Sequence, residues 1–149
     1  MTHVGSSAGP RQPDLSVGLL RAVGAAVLGA GIWIGVAGPL GARAGLLAVA
    51  LFVGWLVGSA ARSGAATRGP AVGGVAVGGG LLTWVLALVG VYVYSLAVIP
   101  DLPGGATAGF DLVARMRETP ITDFYAPQFG LLDVVQGVVL LVAAWWTAR

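Results

Sequence analysis

Few side chains in this 149-residue chain have the types and placement to do chemistry, and the two best placed are Asp133 and Gln136, inside a late apolar stretch. They lie three residues apart, with Gly137 four from Asp133, so on a helix all three fall near one face. An ionisable group in an apolar span is a functional hypothesis by default, because burying a charge in lipid is costly. Asp133 is only one turn from the start of its stretch, where it can also reach the headgroups, cap the helix or meet Arg115 or Arg117. Gln136 is deeper and suits a hydrogen bond to a neighbouring helix.

The remaining inventory excludes more than it offers. His3 is the only histidine and the chain has no cysteine, so no metal site, haem ligation, thiol chemistry or other cofactor is expected. Ser95 and Thr83 have no activating base in view and are expected to hydrogen-bond their own helix at i−4. The run GGVAVGGG lacks the Lys-Ser/Thr of a phosphate-binding loop. No catalytic residues can be nominated, and the chain is expected not to be an enzyme.

The elements that carry these residues follow from composition. With 57% hydrophobic and only 9% charged residues, the chain cannot hide its apolar side chains in a small soluble domain, whose residues would be roughly 25% charged. An all-α integral membrane bundle of four transmembrane helices is expected, with spans of about 17–37, 42–60, 72–99 and 130–147, preceded by a disordered tail over residues 1–16. Gly38, Pro39 and Gly41 are read as the stop of the first span, and the second is expected to end before Arg62 and Arg68. Between the third and fourth spans, Phe110, Val113 and Met116 recur every three residues and Asp111 and Arg115 are spaced to pair. A short amphipathic helix, closed by Pro120, is predicted there. Phe110, Phe124, Tyr125 and Phe129 then serve either as interface anchors and local packing or as a docking surface for a partner.

Glycine is the unusual ingredient, with 25 residues, more than twice the usual share. Gly31 with Gly35 and Gly54 with Gly58 are four apart, so each pair lines one helix face and lets another backbone approach closely in lipid. The GIWIG of the first span and the GWLVG of the second are expected to face each other across a hairpin. Several such spacings arise by chance at this glycine content, so the set is informative and no single pair is established.

Charge sets the expected orientation. Arg11, Arg21, Arg62, Arg68 and Arg149 fall on one side of a four-span chain, against Arg43, Arg115 and Arg117 on the other. The positive-inside rule therefore places both termini in the cytoplasm. Scattered arginines form no basic patch, and nucleic acid is not an expected partner.

The glycine-rich hairpin GAGIWIGVAGPLGARAGLLAVALFVGWLVGSAAR, the long third span, the polar loop and the last helix introduced by FGLLDVVQGVVLLVAAWWTAR resemble a poorly characterised group of small bacterial integral membrane proteins. Gly54, Gly58, Ala60, Arg62 and Asp133 carry the parallel. In some members a similar four-helix unit follows a soluble zinc-ribbon or repeat domain; these 149 residues hold no cysteine for such a ribbon. The resemblance implies a four-helix fold and no settled activity. The expected function is that of a non-catalytic accessory or scaffold subunit, embedded in the lipid bilayer and bound to a larger membrane complex or to itself. The alternative is a small oligomeric transporter or channel component.

Overall fold

The computed structural model describes residues 14–40, 45–98 and 112–149. Most of the expected tail, the turn at Gly41, Arg43, Phe110 and Asp111 lie outside the described residues. Within them the chain is all helical: α1 (Leu15–Leu40), α2 (Leu46–Ala65), α3 (Pro70–Val98), α4 (Leu112–Glu118), α5 (Ile121–Tyr125) and α6 (Leu131–Ala148). Four of these, α1, α2, α3 and α6, are long and apolar enough to cross a membrane. At about 1.5 Å per residue even the shortest, α6 with 18 residues, reaches roughly the thickness of the hydrocarbon core.

The four long helices form a bundle in which α1 lies parallel to α3 and α2 parallel to α6, the two pairs running in opposite directions. α1 and α6 each pack on both α2 and α3, and α2 meets α3 across the diagonal. The centre is built from small residues: Ala22, Ala26, Ala50, Ala61, Ala76 and Ala144 are fully buried beside Val53, Val57 and Leu140. Large apolar side chains point the other way, with Leu20 73%, Leu28 66% and Leu131 81% exposed. At most 39% of any spanning window is buried inside the bundle, so the rest of that apolar surface needs an apolar solvent. A bilayer supplies it, and this chain is a multi-pass membrane protein.

The expected boundaries shift at three places. α1 runs through Gly38 and Pro39 to Leu40, because a proline near a helix end removes only one late hydrogen bond. α2 continues past Arg62 to Ala65, since an arginine on a terminal turn can extend to the headgroups while its backbone stays helical. The basic turn shrinks accordingly, closed by Ala66 in the left-handed region (φ 54°) and by Gly69 (φ 151°). Finally, α5 follows the predicted amphipathic helix α4 as a separate short turn, with Pro120 as its N-cap residue.

Glycine contacts correct the expected hairpin face. A Cβ on Gly54 would strike the Leu140 carbonyl oxygen, and one on Gly58 would lie 2.5 Å from the Ala144 carbonyl oxygen. Both glycines therefore seat α2 on α6, not on α1. Among the described residues Gly31 and Gly35 have nothing within 4 Å of an added Cβ, and both are exposed on the outside of the bundle. The α1–α2 contact is made elsewhere, where a Cβ on Gly64 would lie 2.6 Å from the Val17 carbonyl oxygen and one on Gly18 3.0 Å from that of Ala61.

Candidate functional site

The two ends of the bundle differ. One end gathers the start of α1, the end of α2 and the end of α6, and there the helices nearly touch. Ala61, Ala65 and Ala148 are buried, and Arg21 reaches sideways to donate to Ser63 Oγ at 3.4 Å. Asp14 caps the start of α1: its carboxylate accepts from Ser16 Oγ at 2.6 Å and from the Val17 N–H at 3.2 Å. These bonds, that from Ser16 first, hold the Asp14 carboxyl below the usual aspartate range.

At the opposite end the side chains are large and partly polar, and they leave a cavity of about 230 Å³. Its walls come from the end of α1 (Trp33, Ala37), the middle and end of α3 (Trp84, Ala87, Ser95) and the start of α6 (Asp133, Gln136). Phe124 and Tyr125 of α5 and Gln128 beyond it form the lid. The lid is tied to α3 by hydrogen bonds. Tyr125 Oη donates to the Leu88 carbonyl at 2.6 Å, and Tyr92 Oη donates to the Thr119 carbonyl at 2.6 Å. Arg115 of α4 donates to the Leu96 carbonyl at 2.7 Å, a placement that suits the negative end of α3.

The sequence-nominated polar pair meets at this cavity. Asp133 accepts from the Gly130 N–H through Oδ2 at 2.8 Å, so it caps α6 from the third helical position. Gln136 is 2% exposed and sits one turn deeper on the same wall. Below it the bundle closes: Leu140, Val53 and Thr83 are fully buried, and Thr83 Oγ1 donates to its own helix at the Gly79 carbonyl, 2.9 Å away. Burial first, and then the charge of Asp133, push the Tyr125 phenol up to about 12.

Of the aromatic residues read as candidate anchors, Phe124 and Tyr125 are half-buried and Phe129 stays 42% exposed. Tyr92 is 5% exposed and stacks edge-on against Phe124 at 5.4 Å, and Phe124 meets Tyr125 at 4.9 Å. Phe129 lies 6.3 Å from Trp84, whose indole in turn lies where a Cβ on Gly137 would be 3.2 Å away. Trp33, Trp84 and Gln128 were not nominated as site residues from sequence. The two tryptophans carried a weak signal, being bulky rings within otherwise small-residue spans; Gln128 carried none. Among the described residues no three His, Cys, Asp or Glu side chains group together as a metal site would require.

A second concavity, about 800 Å³, runs along the outer seam of α2 and α6. It is almost wholly apolar, lined by Ala48 and Ala143 together with Leu51, Phe52, Trp55 and Trp146. Trp146 is 79% exposed and Trp55 52%.

Fold and cavity together define a small all-helical membrane protein. The chain matches no protein-family model, no curated protein and no solved structure. Function must be read from its own geometry.

Proposed function

We propose that this chain is a non-catalytic accessory or scaffold subunit of a larger membrane complex, seated in a bacterial inner membrane with both termini cytoplasmic. The observation that carries this reading is the lipid-facing groove between α2 and α6. Its lining is apolar, with Ala48 and Ala143 leaving room for another helix, and the tryptophan and phenylalanine beside them are large apolar contact residues of the kind that anchor interfaces. Its occupant is a transmembrane helix of the partner. The non-catalytic part is supported by the cavity's chemistry: its described lining residues include no histidine, lysine or cysteine, its one carboxylate, Asp133, is engaged by the Gly130 N–H, and the Tyr125 hydroxyl is already committed to Leu88.

The test is purification from native membranes in mild detergent, comparing the natural chain with Ala48→Trp and Val142→Trp. Ala48 is exposed and Val142 is 56% exposed, so both substitutions fill the groove and leave the core alone. Expected is a partner in fixed ratio with the natural chain, lost from both variants while thermal melting is unchanged. Recovery of the natural chain without a partner, with lipid alone in the groove, sinks the proposal.

The orientation is checked separately. Since the chain has no cysteine, Thr67→Cys in the basic turn and Asp123→Cys in α5 each give one thiol. A membrane-impermeant maleimide added to spheroplasts should label the second and not the first; the reverse pattern would invert the topology.

A second reading, as a component of an oligomeric transporter, draws on the polar cavity. Closure below Gln136 by Leu140, Val53 and Thr83 leaves one chain without a continuous path, so this reading requires several copies. Recovery as a defined homo-oligomer in the same purification would favour it.

A further inference from the structure

The composition of the end cavity selects among ligands. Four aromatic rings line it, those of Trp33, Trp84, Phe124 and Tyr125, together with the carboxylate of Asp133. The described lining residues include no arginine and no histidine. The Gly130 N–H bonds Asp133 at Oδ2, 2.8 Å away, which orients the carboxylate without neutralising it.

An anion would face that carboxylate with no cation to balance it. A purely apolar guest would strip water from Asp133 and return no polar partner. A hard divalent cation seeks six or more oxygen ligands, commonly several carboxylates, whereas the described residues hold no group of three acidic, histidine or cysteine side chains. An alkylated ammonium suits both halves of the lining: its charge meets the carboxylate and its methyl or methylene groups meet the ring faces. The volume of about 230 Å³ lies below the roughly 300–1,000 Å³ of sites for drug-sized ligands. It admits an ammonium head bearing a few carbons.

We propose that this cavity binds a small alkylated ammonium group, with Asp133 as its counter-charge and the rings of Trp33, Trp84, Phe124 and Tyr125 as its cage. Such a group is available as a free organic cation or as the headgroup of a lipid in the adjoining leaflet. The site is independent of the α2–α6 groove. A subunit that docks through the groove and one that does not would both carry it.

The experiment follows tryptophan fluorescence of the full chain in a maltoside detergent, which contains no ammonium, during titration with tetramethylammonium and with choline. A saturable change is expected with both cations and none with the neutral carbon isostere of choline. Asp133→Asn should weaken apparent affinity about tenfold or more, while the asparagine oxygen can still accept from the Gly130 N–H and keep the start of α6. Trp84→Phe should weaken it about threefold, since the larger indole face binds cations best. Nanodiscs separate the two sources. Saturable choline binding in phosphatidylglycerol alone identifies a free-cation site. A phosphatidylcholine or phosphatidylethanolamine molecule that survives purification, is found by mass spectrometry and is released by choline identifies a headgroup site.

Three results would overturn the proposal: no response to either cation with no ammonium lipid retained, an equal response to the neutral isostere, or unchanged affinity in folded Asp133→Asn. If circular dichroism shows that variant to be unfolded, the isostere and Trp84→Phe decide, with unchanged affinity in Trp84→Phe counting against the cage.

Discussion

The same four helices are packed shut at one end and held apart at the other, and side-chain size explains the difference. Where α2 crosses α1 and α6 at the closed end, the contacts are glycine and alanine against backbone: Gly64 on Val17, Gly18 on Ala61 and Gly58 on Ala144. At the open end Trp33, Trp84 and Tyr125 occupy the corresponding space and leave the cavity between them. In lipid there is little hydrophobic force between helices, so close backbone approach has to supply the association. The closed end thus holds the bundle together, and the open end is free to carry polar groups.

The largest expected effect breaks the closed end. Gly58→Leu would drive a side chain into the Ala144 carbonyl, 2.5 Å from the first added carbon, and toward Thr147 Cβ at 2.8 Å. The backbone of α6 cannot rotate aside as a flexible side chain would, so α2 and α6 must separate. Overpacking of a tight core typically costs about 1–3 kcal/mol, and contact with backbone places this substitution at or above the top of that range. Gly31→Leu is the matched control, because an added Cβ there meets nothing within 4 Å. Thermal or detergent unfolding should show a large loss for Gly58→Leu and little change for Gly31→Leu. Equal losses would mean that the outer face of α1 is also packed, against another molecule.

These two glycines also mark how far the sequence could be read. The four spans were legible because a long apolar run has few alternatives to a membrane helix, and Asp133 and Gln136 stood out because polar groups are rare within such runs. Four-residue spacing identified a glycine face on α2 but could not identify the neighbour that fills it. Gly54 and Gly58 meet α6, more than 80 residues later in the chain, and Gly31 and Gly35, identical in spacing, meet nothing among the described residues. Periodicity describes one helix, whereas a seam belongs to two. The cavity escaped for the same reason, since its walls draw on α1, α3, α5 and α6, with Leu46 of α2. α5 was hidden by its length: five residues are too few for a helical period to register, although Pro120 ahead of it and Asp123 in its first turn are start signals.

The smallest effect sharpens the open end. Tyr125→Phe removes the 2.6 Å bond to the Leu88 carbonyl, the link by which α5 lies over the cavity. That carbonyl lies within α3, four residues before Tyr92 and well inside the helix, so it keeps a backbone partner and is not orphaned. A net cost of about 0.5–1.5 kcal/mol is expected near neutral pH. The sign changes in strong alkali. The natural Tyr125 phenol is held up to about 12 from an ordinary 10.0, so between those values the unfolded chain loses its proton first and folding stability falls as pH rises. Below pH 10 that contribution is intact, and Tyr125→Phe should lack the part of the alkaline decline that this phenol causes. The difference in phenolate absorbance between natural chain and variant should titrate near 12. Asp133→Asn should bring that value down only part of the way, because burial is the larger cause and the aspartate charge the smaller. A difference titration at the ordinary tyrosine value would show that α5 does not cover the cavity and that the open end is open to water.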